Sequence, residues 1–149
     1  MMRYTLAIFD MDGTLTEELL DFAAIRRDIG MPAAGAILEH IAGLSDAERR
    51  RALDILDVHE NAAAESCRVH DGAAEVLSEL RRRAVRVALL TRNSRTSAAR
   101  ILGRHGLVLD HISTREDVPH KPHPESILSI IRRFGGTPQQ TLMIGDYLL

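Results

Sequence analysis

The sequence predicts an α/β fold, in which helices flank a parallel sheet and an all-helical segment is inserted after the first strand. Short apolar runs, the first at residues 6–9, alternate with helical patterns over most of the chain. Such alternation is typical of strands joined by crossover helices. Residues 17–67 differ, because their pattern is helical throughout. The 149-residue chain is 45% hydrophobic, which is enough apolar material for a sizeable core.

The predicted sheet is that of a Rossmann-like core. Residues 6–9 are all apolar, so this strand can be buried on both faces, as a central parallel strand is. Further strands are expected at residues 85–90, 111–114 and 141–144, and helices at residues 73–83, 94–105 and 124–134.

The inserted segment has its own helix signals. Gly30 with Pro32 ends a first helix, and Gly43 ends a second. Ser45 and Glu48 form a capping box that opens a third. We therefore expect a core of residues 1–15 and 71–149 and a helical insert of residues 16–70.

The most informative local feature is the run of polar residues that follows the first strand. Asp10 comes at the carboxyl end of this strand, where open α/β sheets bind ligands. Asp12 lies two residues further and would point to the same side while the chain stays extended. Gly13 then allows a turn, and Thr14 adds a hydroxyl.

Two neighbouring carboxylates repel, so they persist together when a cation neutralises them or when their pKa values differ. One could then serve as a nucleophile and the other could exchange a proton. A simpler alternative is an Asx-turn, in which Asp12 and Gly13 only end the strand.

Polar residues follow two later strands as well. Thr91 could bind a phosphate oxygen with the amides after it, aided by the dipole of a helix that begins near Ser94. A simple helix cap is the alternative. Asp146 follows the last strand and should reach the same sheet edge as Asp10, where two carboxylates suit Mg²⁺. A turn residue after Gly145 is the alternative for Asp146.

Lys121 is the only lysine among 19 basic residues. It lies in a stiff, proline-containing segment that would hold its ammonium group in place. Its expected role is to offset the negative charge of a phosphate and of Asp10.

These residues resemble the motifs of the haloacid dehalogenase-like hydrolases, most of which are phosphatases. The first motif matches residues 10–14, and the other three match Thr91, Lys121-Pro122 and Gly145-Asp146, in the family's order. The resemblance implies that Asp10 is the nucleophile, Asp12 the general acid and base, and Lys121 the charge partner. It implies Mg²⁺ bound by Asp10, the main-chain carbonyl of Asp12, and Asp146. It also implies substrate binding by the residues Thr14, Thr91, Arg92, Asn93 and Lys121.

The layout most resembles phosphoglycolate phosphatase-like members with a small helical cap, which implies a small phosphorylated metabolite as substrate. A dehalogenase of this family would not need the second carboxylate of the first motif, so the presence of Asp12 argues against dehalogenation. Phosphonate hydrolysis in this family uses a cap lysine as a Schiff base, and the insert contains no lysine. Two alternatives remain open: a phosphosugar mutase, and a catalytically weak, truncated copy that acts as a binding module.

The resemblance also bears on the last residues. Relatives usually continue Gly-Asp-x-x-x-Asp, and the second aspartate would fall one residue beyond Leu149. We therefore expect that a carboxyl-terminal part of the core is missing, that residues 141–144 form a sheet edge, and that this edge pairs two copies as a homodimer.

The amino-acid composition limits the classes of binding partner and the cellular location that can be expected. The net charge of −2 and the pI of about 6.4 give no reason to expect nucleic acid or an acidic membrane surface as a partner. No apolar stretch is long enough to span a bilayer, and Cys67 is the only cysteine, so no intrachain disulfide can form. A cytoplasmic location is predicted. His120 and His123 flank Lys121 without further ligands, so zinc is not expected there.

Overall fold

The structure is a computed structural model that describes residues 4–117 and 119–146. It divides the chain into two compact units, Met1–Glu18 with Cys67–Leu149, and Leu19–Ser66. The expectation about how the chain continues after Asp146 falls on residues 147–149, which lie outside the described residues. In the part that is described, no helix combines the length and the apolar character needed to cross a membrane.

The first unit contains the sheet. Its strands are β1 (Leu6–Phe9), β2 (Arg86–Leu90), β3 (His111–Ser113) and β4 (Thr141–Ile144). All neighbours pair in parallel, in the order β3-β2-β1-β4. Phe9, the last residue of β1, is paired with Leu89 on one side and with Ile144 on the other. The predicted parallel α/β fold is therefore confirmed, and the polar residues after β1 and β4 begin at the same level.

The second unit is helical and consists of α1 (Phe22–Ile29), α2 (Ile37–Ala42) and α3 (Asp46–Ser66). Gly30 ends α1 in the left-handed conformation, and Gly43 follows α2, as expected. The Glu48 carboxylate accepts bonds from the Ser45 backbone N–H (3.2 Å) and hydroxyl (2.5 Å), so the bond from Glu48 back to the start of the helix that a capping box predicts is present. One apolar cluster joins the three helices, formed by Ile25, Met31, Ile37, Leu38, Ile41, Ala52 and Leu56.

The helices of the first unit are α4 (Ala73–Arg82), α5 (Arg95–Arg104) and α6 (Glu125–Arg133). Leu6 and Ile8 of β1 pack with Ile130 of α6 on one face of the sheet, while Ala7 and Phe9 are buried on the other. Burial on both faces explains why residues 6–9 are apolar without alternation.

Residues near the predicted domain boundaries form a short ladder within the first unit. Thr16 bridges Val69 in antiparallel fashion. The Glu17 N–H donates to the Arg68 carbonyl, and the His70 N–H donates to the Leu15 carbonyl, both at 2.9 Å. The observed division therefore falls after Glu18 and before Cys67, whereas the sequence placed it at residues 15 and 71.

Strand β4 differs from the other strands in its surroundings. Within residues 4–117 and 119–146 it pairs with β1 alone, and all four of its residues are half-buried. Of its apolar side chains, Met143 packs against the cluster under α6. The sheet described here therefore has β4 at one edge.

Candidate active site

Asp10 and Lys121 form a largely buried ion pair at the end of β1. The Lys121 Nζ lies 2.7 Å from the Asp10 Oδ2, and the two side chains are 7% and 15% exposed. The other oxygen of Asp10 accepts a bond from the Met11 N–H at 2.8 Å. Asp10 itself continues the sheet, because its N–H donates to the Ile144 carbonyl at 2.8 Å. The only lysine of the chain is therefore brought to the carboxylate that the sequence singled out.

The segment that carries Lys121 lies between β3 and α6. The Lys121-Pro122 peptide bond is cis, and α6 begins three residues further on, at Glu125. Lys121 thus precedes the helix rather than lying in its first turn. The His120 ring donates from Nδ1 to the Lys121 carbonyl, 2.7 Å away.

Asp12 has a partner of a different kind. The Asn93 side-chain amide donates from Nδ2 to the Asp12 Oδ2 at 2.9 Å, and Asn93 is only 5% exposed. Asn93 is fixed in turn, because its backbone N–H donates to the Thr91 hydroxyl oxygen at 3.1 Å. This bond does not use the hydroxyl proton of Thr91, which remains a donor. Arg92, between them, is half-buried.

Gly13 and Gly145 lie where the ends of β1 and β4 approach each other. Gly13 has a φ of +73°, and a Cβ added to it would overlap the Asp146 carboxylate. A Cβ added to Gly145 would lie 3.5 Å from the Asp10 Cβ and 3.9 Å from its Oδ2. The Asp146 carboxylate therefore rests against the turn that follows Asp10, in a space that a side chain at residue 13 would fill.

Thr14 supplies an unused polar atom beside these groups. Its Oγ1 is buried and finds no hydrogen-bond partner among the described residues. Its N–H donates to the Met11 carbonyl at 3.2 Å, as do the N–H groups of Leu15 (2.9 Å) and Thr16 (3.0 Å). A buried hydroxyl without a partner costs free energy, which binding of a ligand oxygen would recover.

The donors at this edge are suited to a hard cation. The Asp10 and Asp146 side chains offer carboxylate oxygens, the kind of ligand that Mg²⁺ takes together with waters and a substrate phosphate. Within the described residues, no three side chains from histidine, cysteine, aspartate and glutamate converge as a metal-holding group. A magnesium ion here would depend on two carboxylates, a main-chain carbonyl and non-protein oxygens.

Other polar residues have local structural roles. The His123 ring accepts the Glu125 N–H at 3.1 Å through its Nδ1, at the start of α6. Cys67 is buried, and burial raises the pKa of its thiol, which disfavours the reactive thiolate.

The structure brings six of the residues predicted from the sequence to one edge of the sheet: Asp10, Asp12, Thr91, Asn93, Lys121 and Asp146. Two features of this site were not predicted from the sequence. Asn93 was assigned to the substrate, yet it bonds Asp12. Gly13 was assigned to the turn, yet it also makes room for Asp146. A glycine between carboxylates at a strand end was the available signal for the second feature.

Comparison with known proteins identifies the class of this fold and site. The family model of the haloacid dehalogenase-like hydrolases matches residues 4–148, nearly the whole chain. The chain belongs to this family.

Individual relatives share 30% or less of their aligned residues with this chain in the two comparisons that follow. The chain is 29% identical over 152 residues to a haloacid dehalogenase-like hydrolase domain-containing protein of Arabidopsis thaliana, covering 95% of this chain and 62% of that protein. It is 30% identical over 168 residues to the phosphoglycolate phosphatase of Pseudomonas putida, again covering 95% and 62%. The chain thus spans 62% of the length of each relative.

Solved structures share the fold. A hydrolase from Pseudomonas syringae superposes with a TM-score of 0.78 at 23% identity, covering 95% of this chain and 76% of that one. At this identity the likeness establishes the architecture and leaves the chemistry to be argued from the site.

Proposed function

We propose that this chain is a Mg²⁺-dependent phosphatase that hydrolyses a small phosphomonoester through an aspartyl-phosphate intermediate. One observation carries the proposal: the two carboxylates of the first motif have different partners. Asp10 faces the Lys121 ammonium, and Asp12 faces the Asn93 amide. The Lys121 ammonium can offset negative charge where a nucleophilic carboxylate meets a phosphate, and the bond from Asn93 orients Asp12, as a group that transfers protons requires.

In the proposed reaction, an oxygen of the Asp10 carboxylate attacks the phosphorus of the ester. The bond from phosphorus to the ester oxygen breaks, and that oxygen leaves as an alcohol with a proton from Asp12. Water then attacks the phosphorus of the aspartyl phosphate while Asp12 takes a proton from that water, and the bond between phosphorus and the Asp10 oxygen breaks. Inorganic phosphate leaves, and both carboxylates regain their initial states.

The phosphate is proposed to bind where the unused donors lie. Lys121 carries the positive charge that offsets the phosphate and Asp10 together. Thr91 and Thr14 each have a hydroxyl proton that is not used in the bonds described above. Arg92 and Asn93 are proposed to complete the phosphate site, since they lie in the same loop as Thr91.

Mg²⁺ is proposed to be held by Asp10, the main-chain carbonyl of Asp12, and Asp146. When bound, it would supply positive charge that neutralises the phosphate oxygens and so permits a carboxylate to approach them. The all-oxygen donor set and the contact of Asp146 with Gly13 support this assignment.

The substrate is proposed to be small and phosphoglycolate-like. Support comes from the similarity to the phosphoglycolate phosphatase of Pseudomonas putida. Nucleic acid and membranes are not proposed as partners, and a cytoplasmic location stays a prediction.

A second copy of the chain is proposed as a partner. The basis is the edge position of β4, whose residues are half-buried and which pairs with β1 alone in the described part of the chain. An edge with free backbone groups and apolar side chains favours pairing with another strand.

The test is phosphate release from a panel of small phosphomonoesters, with Mg²⁺ and with excess chelator. We expect steady release that depends on Mg²⁺, fastest on a small carboxylated ester. A phosphosugar converted to an isomer without phosphate release would indicate a mutase instead. Ligand binding without turnover would indicate a binding module. Undiminished release in excess chelator would contradict the metal assignment.

A further inference from the structure

A turn of residues 114–117, outside the four motifs, follows β3. Thr114 is fully buried within it. Its N–H donates to the Asp117 Oδ2 at 2.9 Å, and the Asp117 N–H donates back to the Thr114 carbonyl at 3.1 Å. The Thr114 hydroxyl lies 2.7 Å from the Glu116 carboxylate. These bonds hold the two carboxylates in fixed positions.

Both carboxylates then reach the first residue of α5. The Arg95 backbone N–H donates to the two oxygens of Glu116, each at 3.1 Å. The Arg95 guanidinium donates to the Asp117 Oδ2 at 2.6 Å. Since the first N–H groups of a helix have no partner within the helix, a carboxylate is favoured at this place. We call Glu116 and Asp117 the acidic clamp.

The clamp is charged at neutral pH. Burial alone would raise the pKa of Glu116, but bonds from the Thr114 hydroxyl and the Arg95 N–H outweigh it and lower this pKa. Burial would likewise raise the pKa of Asp117, but the bond from the Thr114 N–H and the positive charge of Arg95 hold that pKa below its usual value. The Arg95 and Asp117 side chains are 53% and 43% exposed. An ion pair so exposed adds little to overall stability, so position is its main effect.

What the clamp holds in position is Asn93. The Arg115 N–H, within the clamped turn, donates to the Asn93 carbonyl at 3.2 Å. Arg95, which the clamp binds, is two residues beyond Asn93. The Asn93 side chain donates to the Asp12 carboxylate at 2.9 Å. Two hydrogen bonds, linked by short stretches of backbone, therefore connect the clamped turn to Asp12.

We propose that Glu116 and Asp117 are positioning residues, which fix the loop of Asn93 and thereby orient Asp12 for proton transfer. The inference rests on the proposed function, in which Asp12 protonates the leaving oxygen. It assigns a role to two residues that contact neither Asp10 nor Lys121 in any described hydrogen bond or ion pair.

The kinetic test compares two kinds of ester, using kcat/KM. An alkyl phosphate needs a proton on its leaving oxygen, whereas 4-nitrophenyl phosphate has a leaving group that departs without one. For the double variant E116A/D117A we expect about a tenfold loss on the alkyl ester, part of the hundredfold or more that general acid catalysis contributes. We expect little loss on the aryl ester. The double variant E116Q/D117N keeps acceptor oxygens and should recover part of the lost rate.

The matched control is E79A. Glu79 is also a surface carboxylate, and it binds Arg82 and Arg83 at the carboxyl end of α4, with its pKa lowered to about 2 by these two bonds. Its loss should leave the rates on both esters unchanged. Equal losses on the two esters in E116A/D117A would show a general structural defect and overturn the positioning role.

A second measurement does not depend on turnover. The chain contains only two asparagines and two glutamines, so the Asn93 side-chain amide can be identified in a ¹⁵N spectrum by its loss in N93A. We expect this signal to shift or broaden in E116A/D117A and to stay in place in E79A. An unchanged signal would overturn the clamp. A wild type that releases no phosphate from any ester would refute the proposed function and the catalytic role with it, while the spectrum would still decide whether the clamp holds Asn93.

Discussion

At the residue scale, the site depends on a carboxylate and an ammonium that are removed from water together. Each charge is tolerated because the other lies 2.7 Å away. Removing one partner of such a pair leaves an uncompensated buried charge, which costs more than the pair itself contributes. A variant of Lys121 or Asp10 could therefore lose activity simply because it unfolds, so its stability must be measured together with its activity.

We predict that Lys121→Ala lowers kcat by about a hundredfold to a thousandfold, the scale seen when a partner of transition-state charge is removed. Arg132→Ala, on the exposed side of α6, is the control and should keep the wild-type rate. Thermal unfolding of both variants shows whether enough folded protein is present. A folded Lys121→Ala protein with the wild-type rate would refute the role of the lysine.

The sequence allowed the identity of these residues to be predicted, but not all of their contacts. Asp10 and Lys121 could be paired in advance because opposite charges at one sheet edge attract. The bond between Asn93 and Asp12 joins residues 81 positions apart. No local pattern indicates which polar neighbour such an amide will choose, since that choice depends on how two loops pack.

At the element scale, the turn after β1 carries a double constraint. Gly13 has a left-handed φ of +73°, and the Asp146 carboxylate fills the space where a side chain would lie. The glycine therefore serves the backbone and the contact between β1 and β4 at once. The turn at Gly13 could be predicted from the local sequence pattern. The contact with Asp146 could not, because it depends on the pairing of β1 with β4.

We predict that Gly13→Ala abolishes Mg²⁺-dependent turnover, because its methyl group displaces Asp146. The matched control is Gly106→Ala, where φ is +63° and no atom lies within 4 Å of an added Cβ. Both variants carry the backbone cost of a left-handed alanine, about 1–2 kcal/mol. Only Gly13→Ala should also lose activity and metal affinity, as measured by Mg²⁺ titration of the rate. Similar residual activity in the two variants would contradict the contact between Gly13 and Asp146.

At the scale of the whole molecule, the order of strands and helices was predictable because local patterns alternate clearly. All four predicted strands are present, and β1 and β4 have the predicted bounds. Boundaries shifted by one residue at β2 and β3. The limits of the helical insert were harder to predict, since residues 15–17 and 68–70 pair across the chain rather than by a local signal.

We predict that the chain self-associates through β4, as measured by sedimentation at several protein concentrations. Leu142→Lys should weaken association, because a lysine on an edge strand opposes pairing with another strand. Val58→Lys is the control, since Val58 is 69% exposed and belongs to the helical unit. A wild type that stays monomeric at high concentration would exclude this interface.

Trapping the intermediate shows whether Asp10 accepts the phosphoryl group. Protein with Mg²⁺ is mixed with a phosphomonoester labelled on phosphorus, quenched in acid, and digested to locate the label. We expect acid-stable, hydroxylamine-sensitive label on the peptide that contains Asp10, and none in Asp10→Asn, which should also lose turnover while keeping its fold. Wild-type turnover in Asp10→Asn, or label on a different residue, would contradict this role of Asp10.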